Sequence, residues 1–518
     1  MEDSYKKTMN VGALVFVACL ILLKIYYLYF PFRFFEYLVP PGDDPVSHYL
    51  MIKTVLAGKV NFAYPPLFHI IIAGLSKLFG ENPMTIMRIV TPALIVLPSI
   101  AVLIITSKLF GRVAGLFSFI IVLWASNYGL VAFGDGNYPN IIAGGFFLPL
   151  AVLYFIKSLQ EKKARNYIFM AAFVLLIVLT HHLSTAMYIM IIFAIFSLLI
   201  VWNRYEKIMP KVWKTFIIFV GIVSVIASFL YLLPTKTVFI SAIHSFNETG
   251  NVLSVSSFSK LTEFSEYNGQ SGELAWYFGL FSLLYTLSLL LRKTEKRSGE
   301  KIAMIALVAW FLVIFLVSRT ERIGLPGRFM RESYLPLAVL SGLALKDLLI
   351  TIPGISRKAV LCGVFGLIVI MNLTQVNGGA YGPPEYFKNM IWFTSDDNEK
   401  TEYIKQSTTP GSAILANQTT PYFPIFAERM IVFADPKKMT DLLSFKQYVK
   451  ASKVSYIFIG NKTGANPDGK PYPFFAPYEE STKLLKQYAS ESKGGRKPML
   501  KEMRRFIDGT VLYSVAGN

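Results

Sequence analysis

The chain has 518 residues, 54% hydrophobic, 15% aromatic and only 16% charged, with a mean hydropathy of +0.49. A soluble chain this apolar could not cover its own surface. Ordinary globular, disordered and fibrous classes are excluded, and an integral membrane protein remains. The net charge of +19, from 51 Lys and Arg against 32 Asp and Glu, points either to nucleic acid or to basic loops at a membrane surface; the placement of the loops decides for the second. Cys19 and Cys362 lie inside apolar runs and support neither a disulfide framework nor a zinc site.

Apolar runs of about 17–25 residues, the length that crosses a bilayer, recur from residue 11 to about 376. They fall near 11–30, 84–107, 112–130, 140–157, 167–182, 184–202, 215–233, 273–291, 301–318, 334–351 and 359–376. The pattern predicts an all-α polytopic domain of about 11 transmembrane helices over 1–376. Lys6 and Lys7 precede the first run, and no small-residue cleavage site follows it, so it reads as an uncleaved anchor.

Basic residues in short loops set the orientation. With the N-terminus in the cytoplasm, alternate loops hold Lys108 and Arg112, the Lys157–Arg165 cluster, the Arg204–Lys214 cluster, Arg292–Arg297, and Arg357 with Lys358. Residues 31–83, 131–139, 234–272, 319–333 and 377–518 then lie outside, in a multi-pass cell-membrane protein, and nucleic acid is not needed to explain the charge. The first of these loops contains 45–57 and 65–79, which read as short helices lying on the membrane surface. From 377 onward, apolar β-rich runs (Ala413–Ala416, Met430–Phe433, Val454–Ile459, Val511–Val515) alternate with helical runs near 398–407, 439–451 and 479–489. That alternation predicts a small soluble α/β domain over 377–518.

The chemistry-bearing residues concentrate in the outer loops. Asp43 and Asp44 are adjacent carboxylates, a candidate general base, because each raises the proton affinity of its neighbour. Asp44 before Pro45 reads equally as a helix cap with proline at the first helical position. The readings coexist, with Asp43 free to take a proton. His48 stands one helical turn beyond Asp44 and is placed to orient it. Tyr64, before two prolines, and His69 open the second surface helix, where His69 reads as a polar tip at the interface or as a donor ligand. Asp135 sits in the turn Gly134–Pro139 as that loop's one carboxylate, and His181-His182 end a span, with Ser184 and Thr185 expected to cap the next. No metal-ligand spacing supports zinc. Four arginines, Arg319, Arg322, Arg328 and Arg331, break the charge asymmetry outside, either as phosphate ligands or paired with Glu321, Glu332 and lipid headgroups. Arg328 and Arg331, three apart, would share one face of a helical entry.

The stretch 43–115 resembles the GT-C superfamily of polytopic glycosyltransferases, in the style of the protein O-mannosyltransferase and lipid A aminoarabinose transferase branch. The residues that carry the likeness are Asp43-Asp44-Pro45 with Tyr49, Leu56-Ala57-Gly58, Tyr64-Pro65-Pro66-Leu67-Phe68, Phe79-Gly80, Arg88 and Phe110-Gly111-Arg112. It departs from that pattern in having Asp44 where Glu is commoner and Tyr64 where Lys is common. The Trp-rich sequon motif of oligosaccharyltransferases is absent from 377–518, so en bloc transfer to Asn is not expected. The resemblance implies transfer of a sugar from a polyprenyl-phosphate donor to a lipid, glycan or protein acceptor on the outer face. Asp43 and Asp44 would supply the base; Arg328, Arg331, His69 and Tyr64 would hold the donor phosphate; His48, Asp135, His181 and His182 would support the acceptor. No cofactor is required on this reading, although Asp43 and Asp44 could hold a divalent cation. The non-enzymatic alternative is a lipid-linked saccharide transporter or an envelope-assembly scaffold, but transporter sites are expected at broken helices in mid-membrane.

Overall fold

The computed structural model describes residues 12, 15–29, 38–40, 44–60, 64–161, 163–202, 209–232, 264–292, 298–319, 326–351, 363, 366, 395–416, 423–433, 442–459, 487, 500–507 and 509–515. Two compact units emerge: Met1–Phe30 with Ser47–Pro384, and Pro31–Val46 with Glu385–Asn518.

The first unit is helical. Six helices or helix pairs among the described residues are long and apolar enough to cross a bilayer, up to seven if the pair Arg112–Ala125 and Tyr128–Gly134, bent by 41°, is one span. Three further predicted spans correspond to shorter apolar helices at Val15–Tyr29, Ala164–Thr180 and Trp213–Val223. The eleventh, 359–376, lies outside the described residues apart from Gly363 and Gly366. Local chemistry sets several ends. Asn82 caps Pro83–Leu94 by accepting from the Met84 amide at 2.9 Å, with proline in the first turn. Gly80 closes Leu67–Phe79 in the left-handed region at φ +69°. At 13 residues that helix is about 20 Å long, short of the ~30 Å hydrocarbon core.

The centre of the unit is the helix Pro326–Thr351, whose residues 329–343 are buried without interruption. Small residues bring its backbone against Arg112–Ile120: a Cβ on Gly342 would lie 2.3 Å from the Ala114 carbonyl oxygen. Close backbone approach through small residues is how helices associate where no hydrophobic difference from lipid drives them together. Large apolar side chains such as Phe281, Leu284, Leu291 and Leu316 point outward, as a lipid-facing surface requires.

The second unit holds a five-stranded mixed sheet in the order β2-β1-β3-β5-β4, with β1 Ala413–Ala416, β2 Met430–Phe433, β3 Tyr456–Ile459, β4 Leu500–Arg505 and β5 Val511–Val515. The pairs β1–β2 and β1–β3 are parallel; β3–β5 and β4–β5 are antiparallel. Alternation sorts the strands into two apolar faces. Leu415, Ile457 and Tyr513 pack with Val449 of helix Leu442–Ala451. Ile414, Phe458 and Leu512 pack with Ile404 of helix Ser395–Ser407 and with helix Phe423–Ala427. The result is a helix–sheet–helix sandwich. Strand β4 and helix Phe423–Ala427 have no counterpart among the sequence expectations, and the predicted run 479–489 lies outside the described residues except Gln487.

Candidate functional site

Polar residues from segments far apart in the chain meet in one buried cluster of the membrane unit. Helix Pro326–Thr351 places Arg331 and Glu332 in its second turn. The Arg331 side chain is wholly buried, and its Nη1 donates to Asp135 Oδ2 at 3.0 Å, while Asp135 keeps 49% of its side chain exposed. Asp135 is held there because it ends helix Tyr128–Gly134, and Gly136 then turns the chain at φ +72°. Arg331 Nε and Nη2 are buried with no partner among the described residues. Uncompensated guanidinium donors in an interior are costly, so this unpaired edge suits an anion.

Glu332 is buried beside it. Its Oε1 accepts from Tyr128 Oη at 2.8 Å and from Asn140 Nδ2 at 3.2 Å. Asn140 Oδ1 accepts from Ser184 Oγ at 2.9 Å, and Ser184 Oγ lies 2.9 Å from His181 Nδ1. A π-helical turn, Ile121–Ala125, precedes Tyr128, and another, Ala143–Phe147, follows Asn140. Such bulges occur often at functional sites, because one extra residue re-aims the side chains around it.

Four of the chain's five histidines join the cluster. His48 Nδ1 stands 3.0 Å from His69 Nε2. Tyr64 touches both sides, with ring centroids 5.6 Å from His69, 6.4 Å from His181 and 5.5 Å from His182, and Phe68 and Tyr138 back His48 at 5.4 and 6.0 Å. His69, in the non-spanning helix Leu67–Phe79, is 2% exposed. It is therefore a core residue and not the interfacial tip that its sequence position suggested. Burial pushes its imidazole down to about 4, against an opposing hydrogen bond to the Pro65 backbone. The consequence for acid stability has a definite sign. Above its ordinary pKa of 6.5 His69 is neutral whether folded or unfolded, and stability is full. Below it the unfolded chain binds a proton that the folded chain refuses until about pH 4, so stability falls across that window by about 3 kcal/mol at most. Thermal unfolding in detergent between pH 7 and 4.5 should show this loss, and His69→Leu should flatten it. An equally steep acid slope in that variant would assign it elsewhere.

The predicted site residues thus divide. Tyr64, His69, His48, His181, His182, Asp135 and Arg331 come together. Asp44 is the first residue of helix Asp44–Leu56, four before His48. Asp43 and Arg322 lie outside the described residues, as does the side chain of Arg328, whose backbone opens the helix that carries Arg331. At the start of helix His182–Trp202 the capping relation is the reverse of the one expected: the Ser184 amide approaches His181 Nδ1 at 3.3 Å and Thr185 Oγ1 donates to the His181 carbonyl. Tyr128 and Asn140 escaped sequence reasoning because each reads as an ordinary polar residue near a helix end, and Ser184 entered it only as a cap. Glu332 was legible only as a partner for arginine. Among the described residues no group of three or more His, Cys, Asp or Glu is placed to hold a metal.

The family model described as "6-pyruvoyl-tetrahydropterin synthase related domain; membrane protein" matches residues 61–377. No curated protein sequence matches the chain. Among solved structures, the oligosaccharyltransferase of Archaeoglobus fulgidus is similar at a TM-score of 0.58 and 12% identity, over 88% of this chain and 70% of that one. ArnT from Cupriavidus metallidurans, bound to undecaprenyl phosphate, is similar at 0.55 and 14%, over 98% of both chains. The mycobacterial arabinofuranosyltransferase AftD is similar at 0.54 and 13%, over 97% of this chain and 40% of that one. At such identities the likeness is one of fold.

Proposed function

We propose that this chain, which belongs to the membrane-protein family described as 6-pyruvoyl-tetrahydropterin synthase related domain, is a GT-C glycosyltransferase that moves a sugar from a polyprenyl-phosphate donor to an acceptor hydroxyl. The observation that carries the reading is the buried Arg331 fork. Nη1 is anchored by Asp135, while Nε and Nη2 are buried with no partner among the described residues. A planar pair of N–H donors matches two oxygens of a phosphate, and in a dry setting it stabilises charge that builds on a leaving phosphate. Further support comes from similar folds solved with undecaprenyl phosphate and with dolichol-phosphate and an inhibitory peptide.

In this mechanism Asp43 is the general base that takes the acceptor proton. The acceptor oxygen attacks the anomeric carbon, and the polyprenyl phosphate departs toward Arg331, with Arg328 on the same helix as a second cation. Tyr64 and the histidines wall the approach of donor and acceptor. A phosphate ester is already a competent leaving group, so the reaction needs no cofactor; if a divalent cation takes part, Asp43 and Asp44 are its ligands. Orientation follows from the basic loops, with the N-terminus cytoplasmic and the C-terminal unit outside. Mass spectrometry of cell-envelope glycans with and without the gene tests the reading: one sugar, or one modified acceptor, should vanish from the outer face. An unchanged glycan profile would overturn it.

A second reading has one observation in its favour. The 41° break between Arg112–Ala125 and Tyr128–Gly134 is the kind of interrupted span that transporters of lipid-linked saccharides place at their binding sites. Purified protein in vesicles separates the two, since a transporter moves the donor across the bilayer without consuming it.

A further inference from the structure

We propose that Glu332 is a positioning residue for the Arg331 fork, an inference that rests on the phosphate reading above and adds to it a residue that need not touch substrate. Glu332 follows Arg331 directly on helix Pro326–Thr351, so whatever fixes its carboxylate fixes the rotation of the turn from which Arg331 projects. Two hydrogen bonds fix it, from Tyr128 Oη and Asn140 Nδ2, and both reach the same oxygen, Oε1. They come from the two helices flanked by the π-helical turns. Asn140 can serve Glu332 through Nδ2 and Ser184 through Oδ1 in only one amide orientation. Ser184 Oγ then gives its proton to Asn140 Oδ1 and lies 2.9 Å from His181 Nδ1, which accepts from the Ser184 amide at 3.3 Å. Donation therefore runs from Ser184 through Asn140 to the carboxylate beside the arginine.

The backbone is shaped to admit this contact. A Cβ on Gly144 would fall 2.6 Å from Glu332 Oε1 and 2.9 Å from Asn140 Oδ1, so no larger residue fits without displacing the pair. A buried carboxylate is costly even when it is hydrogen-bonded. Anchoring a helix alone could be done with apolar packing at lower cost.

The test uses the full chain in detergent and titrates undecaprenyl phosphate against undecaprenol, which lacks the phosphate. Glu332→Leu should weaken undecaprenyl phosphate binding about tenfold or more, the loss typical of a hydrogen-bonded charged contact, and leave undecaprenol binding unchanged. Glu332→Gln keeps an acceptor at Oε1 and should restore most of the affinity. If the leucine variant does not fold, Tyr128→Phe removes one of the two bonds with little change of shape and should weaken phosphate binding alone. Two results overturn the inference: Glu332→Leu or Tyr128→Phe binding both lipids as wild type does while Arg331→Ala has lost the phosphate, or Glu332→Gln proving as weak as leucine. If Arg331→Ala itself binds undecaprenyl phosphate normally, the phosphate reading falls, and this inference with it.

Discussion

Arg331→Ala is expected to weaken binding of a polyprenyl phosphate by about 10- to 100-fold, the ~1.5–3 kcal/mol typical of hydrogen bonds to a charged group. The sign is secure because the side chain is wholly buried and its Nε and Nη2 have no other partner among the described residues. The variant should still fold, since the Asp135 left behind is half exposed and water can take the place of the guanidinium. Arg331→Lys is the sharper probe. Lysine restores the charge and can still reach Asp135, yet it lacks the planar fork, so donor affinity should recover only in part. Direct titration together with single-turnover transfer measures both effects. Full recovery with lysine would make Arg331 a point charge rather than a fork.

The second large effect is expected at the acidic pair. Asp43→Asn preserves shape and removes the base, so transfer should fall by the ~10²–10⁴ associated with loss of general-base catalysis, with donor affinity little changed. Asp44→Asn should cost less. Asp44 lies in the first turn of the helix Asp44–Leu56, where its charge favours the positive end of the helix dipole by only a few tenths to about 1 kcal/mol. The measurement is the rate constant of purified variants at saturating donor, and near-normal turnover in the double Asn variant would end the base reading.

These two expectations differ in how they became visible. Six or seven of the spans could be read from run length, because a bilayer demands a fixed apolar length whatever the neighbours are. The strands at Ala413–Ala416, Met430–Phe433 and Val511–Val515 were equally legible, because a buried strand writes its apolar character into four or five consecutive letters. Strand β4 was not. Its sequence, Leu500-Lys501-Glu502-Met503-Arg504-Arg505, is mostly charged, and it lies at the sheet's edge. Charge there discourages pairing with another chain and also hides the strand from a hydrophobic pattern.

The site was legible in its parts and not in its connections. The arginine-rich loop and Asp135 each drew notice, but 196 positions separate Arg331 from Asp135, and nothing local pairs them. The burial of His69 was hidden for the opposite reason. Its neighbours Ile70 and Ile71 face outward, so an apolar helix buries its polar residue on the inner side, the reverse of the usual rule at a water boundary. Asn140 carried no signal and Ser184 only that of a helix cap, since a buried hydrogen-bond network is a property of the packed spans and of none of its members alone.

The π-helical turn Ala143–Phe147 has a consequence for the descent of this chain. A π turn is an α-helix with one residue too many, and each residue of a helix accounts for about 100° of rotation. Deleting one residue from the Ala143–Phe147 turn would restore a regular helix that still crosses the bilayer and keeps its apolar length. It would also swing Asn140 about a quarter-turn around the axis relative to the helix that follows, away from Glu332. A relative with one letter fewer at this point could keep the whole fold and lose the polar chain, so the count of residues between Tyr138 and Gln160 is itself a record of whether the site survives.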